Sequence, residues 1–494
     1  MKKNKNLRGE TMKFKFISRG LILSTVFFIA ALFLLMFAVH KKAYAANAVS
    51  NAGSGNGSIK MGTNAKIKKI EKKLNKALME IQSIKKENKT QNSGNYFSNI
   101  QLLGTLIASY TYNLAKPETY NTPSSFEGNG NYGDNWQTDG FAVNNADITV
   151  RRSPGTSSNP YGVGFHISLD FGQNIQFYKS YYGDTSYFTT PFEDRTPYDV
   201  RKAYININLP VGSGLDIHVG KENELLGFEA FNPIRNWNDT YSLLDAAEPA
   251  TLTGVFLTYN FIPALTSTLG IANTYNSAVP IDNLPVIELN ESYAATSILT
   301  FNGGFIYGEN SYMVGTNGQL YEDNLNKSFY GYIDGVLSPN PDWSFVLDYE
   351  LGLGGGINDS VLNDNGITAS SVSYPALVPT SSSTYDKSRF YGIAGYIHHQ
   401  HNYGFGQIAE TLRETAAYDQ NGMWEMTSTP GVSDTYIDST LTFAYQPSFK
   451  NFKDVQFRLE FEHQSANHDV YLDSNGLPTH SQQNTVNLMI LYSF

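Results

Sequence analysis

From about Tyr96 to the last residue, apolar and polar side chains alternate along the chain. In Val163-Gly164-Phe165-His166-Ile167-Ser168-Leu169-Asp170-Phe171, every odd position is apolar and every even one is Gly or polar. The same period runs through Ala146, Ile148 and Val150, through Ala203, Ile205, Ile207 and Leu209, and through Leu215, Ile217 and Val219. It returns in Phe345, Leu347 and Tyr349, in Leu441, Phe443 and Tyr445, and in Val455, Phe457, Leu459 and Phe461. A period of two places the apolar set on one face of a β-strand and the polar set on the other. About fifteen such strands are countable, and a single-chain bacterial barrel has an even number, which predicts 16 with 14 to 18 allowed.

The polar faces carry Asp, Glu, Arg, Lys and His repeatedly, while the opposite faces are apolar and often aromatic. A soluble sandwich would have to cover those apolar faces with a second sheet. A transmembrane antiparallel up-and-down β-barrel presents them to lipid and leaves no strand edge unpaired. The last strand alternates through Val486, Leu488, Ile490 and Tyr492 to a terminal Phe494. That ending resembles the sorting signal of bacterial outer-membrane proteins and implies delivery by the barrel-assembly machinery.

The first part of the chain has a different pattern. Residues 1–45 read as an export signal: Lys13, Lys15 and Arg19 precede an apolar run from Leu21 to Val39, and Ala43-Tyr44-Ala45 offers a small-x-small cleavage site. An uncleaved anchor helix is the alternative, since the run has the length to span a bilayer. Residues 46–64 are a Gly-, Ser- and Asn-rich linker. Over 65–90, Ile67, Ile70, Leu74, Ala77, Ile81 and Ile84 form a heptad seam with Lys-rich flanks. This predicts a short periplasmic coiled-coil helix, with Ile at both seam positions favouring a homotrimer. A lone amphipathic helix on the barrel or on an anionic surface is the competing reading. The barrel then occupies 96–494.

Composition narrows the function. Only 16% of residues are charged and 14% are aromatic, with no cysteine. Disulfides, Cys-ligated metals and covalent haem are excluded. The first 90 residues hold 19 Lys and Arg against 4 Asp and Glu, leaving 16 against 41 in the rest, a net of about −25 there. That sign excludes a nucleic-acid binder and predicts a lumen that leans towards cations.

Residues 161–261 resemble the beta-barrel porin-2 family. The resemblance rests on Gly164 to Gly172, Ala203-Tyr204-Ile205, Val219-Gly220-Lys221, Gly227-Phe228-Glu229, Asn232, Thr253-Gly254-Val255 and Tyr259. It implies a single porin-type barrel and passage of small solutes, without naming one. The 65–90 segment lies outside it. Where the family pattern leads one to expect an Arg soon after Asn232, this chain continues Asn236-Trp237-Asn238-Asp239-Thr240, with Arg235 the nearest substitute.

Selectivity in such a channel comes from charges facing the lumen and from loops that narrow it. The segment 221–237 follows a strand, mixes both signs and is too long for a turn. It predicts an inward constriction in which Glu222, Glu224 and Glu229 face Lys221 and Arg235, against the plainer reading of a solvated outer loop. Strand parity turns Arg151, His166, Asp170, Lys202, Asp216, His218, Asp348, Glu350, Arg458, Glu460 and Glu462 inward. His398, His399 and His401 are the one His cluster; neighbours in a strand point to opposite faces, so His398 and His399 cannot share a metal, whereas His399 and His401 could, and a polar strand end is the reading preferred over a metal site. No cofactor is predicted. Gly-x-Ser-x-Gly, His-Glu-x-x-His and P-loop motifs are absent, which argues against an enzyme. The function expected is passive diffusion of small hydrophilic solutes across the outer membrane of a Gram-negative-type cell, among lipid and lipopolysaccharide. A plugged barrel serving as scaffold, sheath or adhesin is the alternative, and an outer-membrane enzyme a more distant one.

Overall fold

The computed structural model describes residues 99–117, 140–155, 159–172, 174–175, 198–275, 277–280, 285–309, 312–313, 320–321, 327–353, 389–420, 433–475 and 478–494. The predicted export signal, linker and heptad seam lie outside the described residues. Among those residues no helix is long and apolar enough to cross a membrane; the crossing is made by strands.

Sixteen strands close into one antiparallel barrel. They are β1 (Ile100–Asn113), β2 (Gly140–Arg152), β3 (Gly162–Phe171), β4 (Tyr198–Leu209), β5 (Leu215–Asn223), β6 (Thr251–Ile262), β7 (Leu265–Ala272) and β8 (Val286–Ala294). The second half comprises β9 (Leu299–Glu309), β10 (Lys327–Asn340), β11 (Trp343–Leu353), β12 (Arg389–Tyr403), β13 (Gly406–Asp419), β14 (Asp434–Pro447), β15 (Val455–Ala466) and β16 (Gln482–Ser493). Each strand pairs with its neighbour in sequence, and β16 returns to β1. Connections alternate in length. Those at 153–161, 210–214, 263–264, 295–298, 341–342, 404–405 and 448–454 are short, and those on the other side, including 224–250, are long. Short turns on one side and long loops on the other are the pattern of an outer-membrane barrel.

The alternation read from sequence becomes an outward apolar wall. Phe141, Val163, Ile205, Leu347, Leu488 and Ile490 are all exposed, as lipid-facing side chains must be in an isolated chain. One row breaks the pattern. Glu414, Ser439, His463 and Asn484 lie opposite one another across β13–β16. They satisfy each other in pairs: Ser439 donates to Glu414 at 2.7 Å, and His463 meets Asn484 at 3.0 Å. Such pairing lowers the penalty of polar groups facing hydrocarbon.

The closing ladder runs on to Phe494. Gly104 and Phe494 exchange both backbone hydrogen bonds at 3.0 Å, which extends the β1–β16 ladder. The Phe494 ring lies over Gly104, so a Cβ there would collide with the ring. An aromatic covering a glycine across a strand pair recovers packing that the glycine lacks. Gly395, on the outward face of β12, has open space where its Cβ would be. Gly104→Val therefore displaces the Phe494 ring from the seam and weakens it by about 1 kcal/mol, the low end of overpacking penalties, because the exposed ring can swing aside. Gly395→Val leaves it unchanged. The temperature at which the folded, faster-migrating band unfolds in gel electrophoresis reads both; equal temperatures for the two variants would refute the seam argument.

Candidate functional site

The long connection 224–250 turns into the barrel and packs against its inner wall. Its sequence suits this: Leu225-Leu226, Phe228, Phe231, Ile234, Trp237, Tyr241 and Leu243-Leu244 give it an apolar side that water would not cover. Two 3-10 turns, Pro233–Arg235 and Asp245–Ala247, compact it. The first is capped by the Asn232 side chain, which accepts from the Ile234 amide at 3.2 Å.

Inside the barrel, Leu226, Leu243 and Leu244 pack with Val286, Ile306, Tyr330, Tyr332, Phe390 and Tyr396 of the wall. The strand-parity reading expected a uniformly polar inner face. Over β8–β12 that face is instead partly aliphatic and aromatic, because it receives the loop. Phe228 meets Tyr396 at 4.9 Å, and Trp237 stacks on His398 at 4.5 Å. On the far side, Ile234 reaches the cluster of Ile107, Met489 and Leu491 on β1 and β16. Each fully buried Leu or Phe contributes about 1.5–3 kcal/mol.

Three charged side chains pin the loop. Arg413 of β13, with 0% of its surface exposed, donates to Glu229 at 3.1 Å and to Asp438 at 2.9 Å, and also to Thr240. Arg458 of β15 donates to the carbonyls of Pro233, Asn236 and Asn238 at 3.2, 2.9 and 3.0 Å. Glu460 accepts from the successive amides of Asp239 and Thr240 at 2.6 and 2.9 Å. Charge-assisted bonds of this kind are about twice as strong as neutral ones, and here they satisfy loop backbone that would otherwise be buried unpaired.

A second contact zone is acidic on both sides. Leu225 donates its amide to Glu288 at 2.9 Å, and Phe228 donates to Asp348 at 3.3 Å. Glu350, hydrogen-bonded by Tyr330, meets Asp348 and the loop's Glu248 side chain to side chain. Burial pushes the Glu224, Asp245 and Glu248 carboxyls well above their usual range, reinforced in each case by neighbouring carboxylates such as Glu350.

The residues predicted from sequence are therefore placed as follows. Asp170, Asp348, Glu350, Arg458, Glu460 and Glu462 are buried inside the barrel. Arg151, His166, Lys202, Asp216 and His218 line the inner face of β2–β5, partly exposed. The expected face-off of Glu222, Glu224 and Glu229 with Lys221 and Arg235 is corrected. Lys221 is bonded to Asp199 at 2.9 Å, Glu222 to His218 at 2.7 Å, Glu229 to Arg413, and Glu224 to the amide of Leu226. Arg235 is exposed. Local sequence brings these groups close along the chain, but longer-range partners on other strands capture them. His398 points inward to Trp237, whereas His399 and His401 lie near Glu410 and Asp342 at 3.8 Å. Among the described residues no three potential ligands converge on a metal position.

Arg413, Asp438 and Arg201 escaped the sequence reading. Arg413 stands in Glu410-Thr411-Leu412-Arg413-Glu414, where charges occur on both faces and hide the parity. Arg201 was masked by a bulge: the register shifts between Ser168 and Leu169, which turns both Arg201 and Lys202 inward. Arg201 then bridges Asp147 and Asp170, each at 3.0 Å.

A closed sixteen-strand membrane barrel with a long loop folded against its inner wall is the architecture of a porin, and its place is the outer membrane. The chain belongs to the family described as "Putative beta-barrel porin-2, OmpL-like", whose model matches residues 99–494. Among solved structures it is similar to an anion-selective porin from Comamonas acidovorans, with 8% identity over 80% of this chain and 99% of that one, at a TM-score of 0.46. It is also similar to OmpT, an outer-membrane protein of Vibrio cholerae in trimer form, with 9% identity, coverage of 80% and 99%, and a TM-score of 0.42. OprB of Pseudomonas putida matches at 11% identity, 80% and 94% coverage, and a TM-score of 0.43. No curated protein sequence matches the chain.

Two outcomes follow from the pinning of the loop. Arg413→Ala strands Glu229 and Asp438 in the interior and lowers unfolding stability by about 3–5 kcal/mol, the range for breaking a buried ion pair. Urea titration of the detergent-folded protein measures it, and a loss below 1 kcal/mol or about that would refute the anchor role. The loop's raised carboxyls predict a pH dependence. The seated loop holds protons that an unseated one would release, so its stability is full below the ordinary carboxyl value near ~4 and declines as pH climbs towards the raised values. Limited proteolysis within 224–250 should be faster at pH 9 than at pH 5, and the difference should shrink in Glu224→Gln/Glu248→Gln.

Proposed function

We propose that this protein is a passive channel for small hydrophilic solutes and ions, and that 224–250 sets its width. The observation that carries this reading is the anchoring of the loop to β13 and β15 by Arg413, Arg458 and Glu460. A loop held at that many points narrows the lumen to a fixed aperture without needing to move. Transport, not catalysis, is the role such an arrangement serves.

The barrel's excess of acidic residues argued for cations. Many of them, however, are engaged in the loop contacts or in pairs with Arg201, Arg413 and Lys221. A solute meets the groups that remain accessible, so ion preference follows those rather than the total.

A plugged scaffold is the second reading, favoured by the size of the apolar contact between loop and wall. Around either, we propose the partners expected from sequence: lipid and lipopolysaccharide at the wall, the assembly machinery at the strand ending in Phe494, and a homotrimer held by the heptad seam.

Single-channel recording in a planar bilayer tests the proposal. The folded chain should give discrete steps, and Arg458→Ala/Glu460→Ala, which frees the middle of the loop, should raise the unit conductance about twofold or more, as expected when a constriction is relaxed. A folded barrel that never conducts would overturn the channel reading in favour of the plugged one.

A further inference from the structure

Five neighbouring strands carry a row of small and polar residues on the side of the barrel that faces lipid. Gly395 of β12, Glu414 of β13, Ser439 of β14, His463 of β15 and Asn484 of β16 stand opposite one another in register. The next outward row towards the short turns is wholly apolar: Ile397, Leu412, Leu441, Phe461 and Val486. On the other side of Glu414 and Ser439 lie Ile393, Ala416 and Ile437. Beyond those, Tyr391 and Tyr418 meet at 5.1 Å, and near the short turns Phe405 and Tyr445 meet at 6.2 Å. Aromatic residues gather at the two membrane–water interfaces, so Glu414 and Ser439 lie between them, in the hydrocarbon.

Other parts of the wall differ. On β4–β7 the outward Ile205, Val219, Val255, Leu257, Leu269 and Ile271 are all apolar and exposed. Glu291 and Glu410 also face outward, but they stand three and four residues from the strand ends at the short connections, where they reach water.

The pairs within the row do not use all of its polar atoms. Ser439 donates to one oxygen of Glu414 at 2.7 Å, and His463 Nδ1 meets Asn484 Oδ1 at 3.0 Å. Among the described residues, the second Glu414 oxygen, His463 Nε2 and Asn484 Nδ2 have no partner. Lipid tails can satisfy none of them, and polar groups left unpaired in hydrocarbon are costly. A protein surface that covers the row removes that cost.

A second copy of this chain fits. Copies standing the same way up in the membrane, and brought face to face, set the β13 edge of one against the β16 edge of the other. The carboxylate edge thus meets the imidazole and amide edge. Gly395, beside Glu414, has open space where its Cβ would be, which lets a neighbouring barrel approach closely. Five strands about 4.8 Å apart across an apolar band about 25 Å tall present roughly 600 Å². Two copies would then bury about 1,200 Å², the lower bound of a specific interface.

We propose that the outer wall of β12–β16 is a contact surface between copies of this chain, with the Glu414–Ser439 edge of one turned to the His463–Asn484 edge of the next. This deepens the self-association proposed above by giving it a surface on the barrel, and it rests on neither the channel reading nor the heptad seam.

The chain has no cysteine, so single thiols report neighbours cleanly. In lipid-rich vesicles, Ser439→Cys treated with a short bis-maleimide should give a band of two chains about tenfold stronger than Ile205→Cys, because a lasting contact holds the thiols at high effective concentration. Ile205 faces lipid on β4, away from the row. Added to Ser439→Cys, Gly395→Trp fills the notch without disturbing its own barrel and should return the band to the Ile205→Cys level. Glu414→Leu/His463→Leu, an apolar exchange suited to lipid, should do the same. Leu74→Glu/Ile81→Glu, in the heptad seam, should leave the band in place. Equal bands at Ser439→Cys and Ile205→Cys would overturn the contact, as would a band that survives either wall exchange in a folded, heat-modifiable protein. Loss of the band in the seam variant would assign association to the seam and likewise overturn the wall contact. Bilayer recording separates this from the channel reading: cross-linked barrels that never conduct keep the contact and lose the channel, whereas conducting barrels that never cross-link do the reverse.

Discussion

Everything in this molecule depends on the rule that backbone polar groups in hydrocarbon must be paired within the protein. An open sheet of fifteen or sixteen strands would leave two edges of bare N–H and C=O groups in lipid, at several kcal/mol for each group. The chain meets this by bringing β16 back to β1, and the last pair in that ladder is Gly104 with Phe494. Closure creates an inside. Once there is an inside, its surface must be either wetted or filled, and the two halves of the barrel do this differently.

On the β8–β15 side the interior is filled. The loop 224–250 supplies apolar side chains to an apolar stretch of wall and supplies backbone amides and carbonyls to Arg458 and Glu460. Burying a loop is ordinarily unfavourable because its backbone has no regular partners. Here charged wall residues act as the missing partners, which explains why Arg413, with no exposed surface, is tolerated: each of its contacts is a carboxylate, a hydroxyl or a carbonyl. Burial raises the loop's own carboxyls, Glu224, Asp245 and Glu248, within the same interface. On the β2–β5 side the wall remains polar, with His166, Tyr204 and His218 stacked along it. Among the described residues the loop thus packs on one part of the inner wall, and the β2–β5 part keeps its polar side chains.

This division alters what net charge means. A barrel with many more acidic than basic residues would be expected to draw cations. Yet a carboxylate bonded to Arg201, or raised by burial within the loop, presents little field to the lumen. Charges act on a solute according to their partners and their access to water, and both are properties of the folded wall.

The sequence by itself determined the architecture. Alternation with period two is local, survives any change of context, and has one solution when the apolar face must meet lipid. The strand count, the closed antiparallel topology and the inward face of residues such as Asp348 and Glu460 were legible for that reason. The length of 221–237 and its mixed charges also marked it as a loop with a task. What only the tertiary structure decided was pairing. Lys221 with Asp199, Glu229 with Arg413 and Arg201 with Asp147 join residues on different strands, and no local rule relates them. The bulge that turns Arg201 and Lys202 to the same face is likewise invisible in a strict alternation, because one extra residue shifts the register without changing composition. Strand parity is a short-range constraint written along the chain, whereas charge pairing follows from which strands closure makes neighbours and from where the loop comes to rest.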